Sequence, residues 1–441
     1  MRNQIFRAVL CFVVLMSQAN AELTIEITQG RDNPTAIAIV PFAWQGSGLL
    51  PEDVAAIVES DLYRSGQFAP LSRDDMLSLP TEQSEVFYRD WRAISVDFLL
   101  VGKLKPHQGQ LIAEFELFDV YTQKRVLKAQ EVTTAKQLRH FAHAISDRVY
   151  QQLTGIRGAF STKLLYVSAI KDGGGRFKYR LLISDIDGAN ERVIIEQSEP
   201  ILTPTWSSDG ETIAYVSFET SRPAIFMHNL KTNIRTQLTN FKGLNGSPAW
   251  SPDGKKLAMV LSKDGSPDIY VMDVATRNLK RVTRHYAIDT EPSWLPDGKS
   301  LIFTSDRGGR PQLYQVTLST GYEERLTFEG RYNARGRVLP DGDGVIMVHQ
   351  GDEDYRIALL NIERGSIEIL TETSLDESPS VAPNGTMLLY ATKKNGKGIL
   401  SAVSVDGGVK FDLPSKFGDV REPAWSPFLK AGGLGGVLGS Q

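Results

Sequence analysis

The sequence has almost no cysteine, and its charge has no strong bias toward one sign. Cys11 is the one cysteine among 441 residues, so the chain forms no internal disulfide and burial of apolar side chains must stabilise it. Acidic and basic residues are interspersed and give a net charge of −3. This balance excludes the broad basic field that draws proteins onto nucleic acid or anionic lipid. We expect no nucleic-acid partner and, at most, a peripheral association with a membrane.

Long apolar runs are absent beyond the first residues, and those residues have the features of a secretory signal peptide. Arg2 and Arg7 precede an apolar run at residues 8–16, and a small-x-small cleavage pattern follows at residues 19–21. The run is about half of the roughly 20 residues that a membrane-spanning helix needs. We predict cleavage after Ala21. Cys11 lacks the preceding small residue of a lipoprotein signal, so no lipid anchor is expected.

The second part of the chain contains a repeated heptad, Pro-x-Trp-x-x-Asp-Gly, with a period of about 44 residues. Clear copies start at Pro204, Pro248 and Pro292, weaker copies at Gly336 and Pro379, and a truncated copy at Pro423. Within each repeat, turn signals separate four short strand patterns, which is typical of a β-propeller blade. The repeated Trp position predicts packing between neighbouring blades rather than stacking on a sugar.

The two ends of the repeat region each contain part of a blade. Residues 163–197 have three strand patterns without the heptad strand before them, and the last copy, PAWSPFL, provides only that missing strand. Together they make one blade that closes the ring and removes its exposed edges. The sequence therefore predicts six blades over residues 162–430, followed by a flexible Gly-rich tail at 431–441.

Residues 34–154 alternate strand and helix patterns and predict an α/β domain in front of the propeller. Strands are expected at residues 35–42, 97–103 and 111–118, and helices at 51–65 and 85–92. Thr134 is expected to cap a final helix that presents a stripe of apolar side chains, namely Leu138, Phe141, Ile145, Val149 and Leu153. Residues 155–161 are predicted to be the hinge. Residues 22–33 form an N-terminal arm, which is either an added edge strand of the domain or a mobile segment that pairs with a partner's sheet.

Motifs of catalysis and metal binding are also lacking. Among six histidines, only His140 and His143 have a ligand-like spacing, and we predict that they lie on a solvated helix face. The sequence has neither a G-x-S-x-G elbow nor a Gly-rich phosphate loop after a strand, and DGDG at residues 341–344 is interpreted as a turn. We predict no metal, no cofactor and no catalytic residue. An enzyme acting on glycans or peptides remains the alternative, because paired carboxylates leave no local motif.

Several ordered motifs resemble the periplasmic TolB family of the Tol-Pal system over nearly the whole mature chain. They are AIAIVPF from Ala36, LTGIRGAFST from Leu153, TEPSWLPDG from Thr290, TSDRGGRPQLY from Thr304 and LDESPSVAPNGTML from Leu375, with the terminal PAWSPFL. The resemblance implies a non-enzymatic periplasmic adaptor that supports outer-membrane integrity and constriction at cell division. It implies binding of the lipoprotein Pal by the propeller and of TolA by the arm, with colicins and outer-membrane proteins as further partners.

Loops that join the outermost strand of one blade to the innermost strand of the next gather at one mouth of the channel. Here they are residues 242–247, 284–291, 330–335, 372–377 and 417–422. The predicted partner-binding residues of the mouth are Leu244, Asn245, Asp289, Thr290, Glu291, Arg335, Asp376, Glu377, Arg421 and Glu422. Those of the arm are Glu22, Leu23, Thr24, Ile25, Glu26 and Ile27.

Overall fold

The computed structural model describes residues 27–29, 33–413 and 418–429. The predicted signal peptide, most of the arm and the Gly-rich tail lie outside the described residues. Among those that are described, no helix combines the length and the apolar character that spanning a bilayer requires.

The N-terminal part is an α/β domain built on one mixed sheet. The arm strand β1 (Ile27–Gln29) precedes this domain and lies outside its sheet. The strands of the domain are β2 (Thr35–Ile39), β3 (Ala43–Trp44), β4 (Phe68–Pro70), β5 (Phe98–His107), β6 (Gln110–Asp119) and β7 (Lys124–Thr133). Its helices are α1 (Val54–Arg64), α2 (Tyr88–Ala93) and α3 (Leu138–Thr154), with short 3-10 segments at Arg73–Asp75, Gln83–Glu85 and Ala135–Gln137. The sheet order is β4-β2-β5-β6-β7, and β3 pairs with β5.

Alternation along the strands gives this sheet two buried faces. Leu100 and Leu104 of β5 face α1 and α3, whereas Leu99 and Val101 pack with Trp91 of α2 on the other side. The predicted apolar stripe of α3 is confirmed, since all five of its side chains belong to the α1 and α3 layer.

The predicted cap of α3 was wrong. Thr134 precedes the 3-10 segment and makes no side-chain cap, and its hydroxyl contacts the Gln137 side chain instead. The first residue of α1 follows Asp53, whose carboxylate accepts the Ala56 N–H at 3.0 Å. The alternation patterns did not reveal β4 and β7.

The C-terminal part is a six-bladed propeller of antiparallel four-stranded sheets. After β8 (Lys163–Lys171), β9 (Phe177–Asp185) and β10 (Arg192–Gln197), blade 1 has β11 (Ile201–Trp206), β12 (Thr212–Ser217), β13 (Ala224–Asn229) and β14 (Arg235–Gln237). Blade 2 has β15 (Asn245–Trp250), β16 (Lys256–Leu261), β17 (Asp268–Asp273) and β18 (Leu279–Arg281), and blade 3 has β19 (Asp289–Trp294), β20 (Ser300–Ser305), β21 (Gln312–Thr317) and β22 (Glu323–Arg325). Blade 4 has β23 (Tyr332–Val338), β24 (Gly344–Gln350), β25 (Tyr355–Asn361) and β26 (Ile367–Ile369), and blade 5 has β27 (Glu377–Val381), β28 (Met387–Lys394), β29 (Lys397–Ser404) and β30 (Lys410–Leu413).

The predicted split blade is confirmed. β31 (Asp419–Trp425) pairs with β8, and the strand order β10-β9-β8-β31 makes blade 6 from both ends of the propeller sequence. The Lys163 N–H donates to Ser426 Oγ at 2.9 Å, and the Ser426 N–H donates to the Lys163 carbonyl at 2.9 Å. The ring is therefore closed by backbone pairing between residues more than 250 positions apart.

The arm strand joins the propeller rather than the α/β sheet. β1 pairs antiparallel with β30, so that Ile27 lies opposite Phe411 and blade 5 has five strands. The expectation of an added edge strand of the α/β domain was therefore wrong for residues 27–29, which form an edge strand of blade 5 instead.

Candidate functional site

Two rings of side chains from the innermost strands line the central channel, whose volume is about 400 Å³. The upper ring, nearer the mouth, is Thr203, Ser247, Glu291, Arg335, Ser378 and Glu422. The lower ring, two residues further along each strand, is Thr205, Ala249, Ser293, Arg337, Ser380 and Ala424.

Every residue of the upper ring has a left-handed backbone, with φ between 46° and 56°. The six innermost strands also share a register shift at this point, so one bulge recurs in every blade. A non-glycine residue in this conformation costs on the order of 1 kcal/mol or more, and such strain is often retained where a site must be shaped. In the sequence, each residue of the upper ring directly precedes the first position of a heptad copy. The heptad pattern did not identify these six positions as a ring.

Charge in the upper ring is concentrated on three predicted site residues. Arg335 Nε lies 3.2 Å from Glu291 Oε1, and its Nη1 lies 3.3 Å from Glu422 Oε1. The same Nη1 donates to Ser378 Oγ. Burial lowers the pKa of Arg335, but Glu422 and Glu291 outweigh it and hold the pKa above its ordinary value. The guanidinium of blade 4 therefore contacts side chains of blades 3, 5 and 6, so that four blades meet at one group.

Three of the predicted mouth residues are buried inside the blades. Asn245, Asp289 and Asp376 occupy the same position of blades 2, 3 and 5, and each is almost fully inaccessible. Asn245 donates to the Phe241 carbonyl at 2.8 Å, Asp289 pairs with Arg307 at 2.8 Å, and Asp376 accepts from the Thr371 and Thr373 hydroxyls. These side chains fix the rim loops, so they would act on a partner through loop position.

The exposed rim consists of different side chains. Among the predicted residues, Leu244, Glu377 and Arg421 are exposed and Thr290 is partly buried. Four further apolar side chains that the sequence analysis missed are exposed in loops of the same mouth, namely Tyr286, Ile288, Phe328 and Leu375. The signal for them was the presence of large apolar residues inside polar rim loops, and exposed apolar clusters of this kind mark interaction surfaces.

A concave opening of about 490 Å³ lies on this rim between blades 4, 5 and 6. Leu375, Glu377 and Arg421 line it, together with Tyr332 and Tyr355, whose rings meet edge to face at 5.3 Å. The opening combines aromatic surface with charges of both signs, which suits a protein partner better than a small apolar ligand.

The opposite face of the propeller carries the α/β domain, and a buried charged cluster joins the two. His143 of α3 is buried, with its Nδ1 2.7 Å from Asp61 Oδ2 and its Nε2 3.6 Å from Asp187 Oδ2. The prediction of a solvated helix face for His143 was wrong, because the partner carboxylates come from α1 and from the β9–β10 turn. Burial lowers the pKa of His143, but Asp61 outweighs it and raises the pKa above its ordinary value.

The same cluster is the one place in the described chain where three potential metal ligands meet, since ligand atoms of His143, Asp185 and Asp187 lie within 4.8 Å of one another. Lys163 pairs with Asp185, and Arg139 pairs with Asp187. Two cations at the carboxylates compete with a metal ion for the same oxygens. We therefore interpret the cluster as an ion-pair network between the domains.

The predicted hinge is a packed segment. Asp147 of α3 accepts the Phe160 N–H at 2.6 Å and the Ser161 N–H at 3.3 Å. A side chain added at Gly158 would lie 2.4 Å from the Asp147 backbone, so glycine permits this close approach. Asn384 of blade 5 also donates to the Arg157 carbonyl at 3.0 Å.

Two family models match this chain, one for each of its two parts. The model of the TolB amino-terminal domain matches residues 23–126, and that of the TolB beta propeller domain matches residues 150–429. This chain belongs to the TolB family. The Tol-Pal system protein TolB of Pseudomonas syringae pv. syringae (strain B728a) is 59% identical over 423 residues, which cover 96% of this chain and 98% of the relative.

Other relatives agree along the full length. The Tol-Pal system protein TolB of Pseudomonas fluorescens (strain SBW25) is 57% identical over 433 residues, covering 97% of this chain and all of the relative. The crystal structure of TolB from Acinetobacter baumannii matches with a TM-score of 0.85 and 42% identity, covering 92% of this chain and 100% of that one. The resemblance stated from the sequence is thereby confirmed, as is the six-bladed propeller behind an α/β domain.

Proposed function

We propose that this TolB-family chain is a periplasmic adaptor of the Tol-Pal system, without catalytic activity, which supports outer-membrane integrity and constriction at cell division. It binds Pal at the propeller mouth and TolA through the N-terminal arm. The observation that carries the proposal is the exposed apolar rim of the mouth, on the face opposite the α/β domain. Membership in the TolB family supports the Tol-Pal assignment.

The rim has the composition of a protein-binding surface. Tyr286 is 87% exposed, and its ring is tilted by 31° against that of His285 with ring centres 4.3 Å apart. Leu244 and Leu375 are also exposed. Aromatic anchors surrounded by charged residues dominate the energy of many protein interfaces. Glu377 and Arg421 supply charges of opposite sign at the same opening, which favours an oriented partner.

The docked position of β1 connects the two binding sites. Residues 27–29 use their backbone groups on β30 of blade 5, the blade that also supplies Glu377. An arm that pairs with TolA through these backbone groups must leave β30. Binding of TolA and the conformation of blade 5 are then coupled, and such coupling between two sites is reciprocal.

Calorimetric titration of purified Pal into the mature chain tests the mouth. Tyr286→Ala should weaken binding by more than about 1 kcal/mol, roughly fivefold or more, whereas Tyr322→Ala should not. Tyr322 is a matched control, since it is 62% exposed but lies in the β21–β22 turn on the opposite face. Glu377→Lys should likewise weaken binding, in contrast to Glu363→Lys in the β25–β26 turn.

Calorimetric titrations of TolA and of Pal also test the arm. Removal of residues 22–33 should abolish TolA binding and change Pal affinity, with little change in the melting temperature of the propeller. Equal Pal affinity for all four point variants would contradict the mouth assignment. Turnover of a glycan or peptide by the chain, without retention of Pal or TolA, would favour the enzyme alternative.

A further inference from the structure

The lower ring of the channel contains one charged side chain among small ones. Arg337 of blade 4 shares the ring with two serines, two alanines and one threonine. Five short side chains around one long one leave open volume at the guanidinium, within a channel of about 400 Å³.

Arg337 makes few polar contacts of its own. Its Nη1 donates to the Gly336 carbonyl at 3.0 Å, and no carboxylate of the described chain lies within ion-pair distance of it. A guanidinium has five N–H donors in a planar fork, and most of those of Arg337 have no acceptor among the residues that the structure describes. Arg335, two residues earlier, differs because it contacts both Glu291 and Glu422.

The pKa directions of the two arginines follow the same division. Burial lowers the pKa of Arg337, and the carboxylates of the upper ring do not compensate for it. They do compensate for Arg335, whose pKa is raised. An arginine remains protonated at any physiological pH even when its pKa falls. Arg337 therefore keeps a full positive charge, and no carboxylate of the described chain pairs with it.

Serine residues of the two neighbouring blades share the lower ring with this cation. Ser293 Oγ of blade 3 accepts the Val338 N–H at 3.4 Å, and Ser380 Oγ of blade 5 accepts the Trp425 N–H at 2.8 Å. Neither hydroxyl donates to an acceptor among the described residues, so each O–H can donate toward the channel. The lower ring thus offers a fixed positive charge and two neutral donors from three successive blades.

We propose that the lower ring of the channel is a binding site for one small anion from solution, held by the Arg337 guanidinium and the Ser293 and Ser380 hydroxyls. A carboxylate or halide suits the site, because the N–H groups of a guanidinium can donate to two carboxylate oxygens or to a single spherical anion. A free ion is favoured over a partner's acidic side chain. Such a side chain, entering from the mouth, would have to pass Glu291 and Glu422 of the upper ring, whereas a small ion can enter the channel at its other end, which Ser208 and Pro252 line.

The first test measures the melting temperature of the mature chain at constant ionic strength, as sodium formate replaces sodium gluconate, whose anion is too large for the ring. We expect a saturable rise of a few degrees for the wild type and none for Arg337→Gln. Arg331→Gln, at an exposed arginine of the rim loop before the same strand, should keep the full rise. An equal rise for wild type and Arg337→Gln would overturn the proposal.

The second test does not depend on a variant that folds. Crystals of the wild-type chain soaked in sodium bromide should show an anomalous scattering peak within hydrogen-bond distance of the Arg337 guanidinium. Bromide peaks confined to surface arginines and lysines would contradict the proposal. Calcium bound in the lower ring under matched conditions would contradict it as well, since that requires a cation beside Arg337.

Discussion

The heptad tryptophans act at the scale of single residues by joining neighbouring blades. The Trp294 Nε1–H donates to the Ala249 carbonyl of the preceding blade at 3.0 Å, and Trp206 does the same to Ala424. Trp250 has the same place in its blade, but its Nε1 is buried without a partner among the described residues. Trp250 is therefore a control for the contribution of this hydrogen bond to stability.

Trp294→Phe should destabilise the propeller by about 1 kcal/mol more than Trp250→Phe, because only the first substitution removes a hydrogen bond. Both variants lose the same indole volume, so the difference reports the hydrogen bond of Trp294 together with the removal of the unpaired Nε1–H of Trp250. Urea unfolding monitored by circular dichroism measures it. Equal losses in the two variants would show that the tryptophans contribute through packing alone.

Asp147 makes the junction between the domains sensitive to pH. Burial raises its pKa to about 6, although bonds from Ser161 and Phe160 oppose the shift. A carboxyl group whose folded pKa is raised contributes most stability when protonated, so this contribution is lost as the pH rises from about 4 to about 6. The corresponding free energy is on the order of 3 kcal/mol at most.

Asp147→Asn should remove this dependence, because the amide does not ionise. As the pH rises from 4 to 7, the unfolding free energy of the wild type should fall relative to that of the variant. Urea titrations at several pH values measure it, and the difference cancels the titration of other carboxyls. A difference that is constant with pH would mean that Asp147 keeps an ordinary pKa in the folded chain.

At the scale of elements, closure of the ring rests on β31. Removal of residues 422–441 takes away most of the strand that pairs with β8 and also the Trp425 donor to the Thr162 hydroxyl. The propeller of this truncated chain should lose its cooperative melt, since β8 becomes an open edge. Removal of residues 432–441 alone should change little. Scanning calorimetry compares the three chains, and equal transitions would rule out a structural role for the split blade.

The elements show how far sequence alone could reach. The blades and the split blade were predictable because the same strand pattern recurs several times along the sequence. β7 was missed because its KRVLKAQEVT sequence is mostly polar and half-exposed, so its alternation is weak. The mode of arm docking was not predictable, since three residues pair with a strand almost 400 positions away.

At the scale of the whole molecule, the loops that gather at the mouth could be predicted from topology, whereas the burial of their side chains could not. Asn245, Asp289 and Asp376 look like surface polar residues in the sequence, yet loop contacts bury them. The ring geometry depends on φ angles that no composition reveals. The His143 cluster joins residues from α1, α3 and the β9–β10 turn, and only the folded chain brings them together.

Hydrogen–deuterium exchange of the full mature chain, with and without Pal, tests the central claim that the mouth is the docking face. The account predicts slower exchange on Pal binding in the rim loops at residues 242–247, 284–291, 326–331 and 372–377. The hairpins of the opposite face, at residues 252–254, 296–298 and 362–366, should be unchanged. Protection confined to those hairpins, with the rim loops unaffected, would contradict the account.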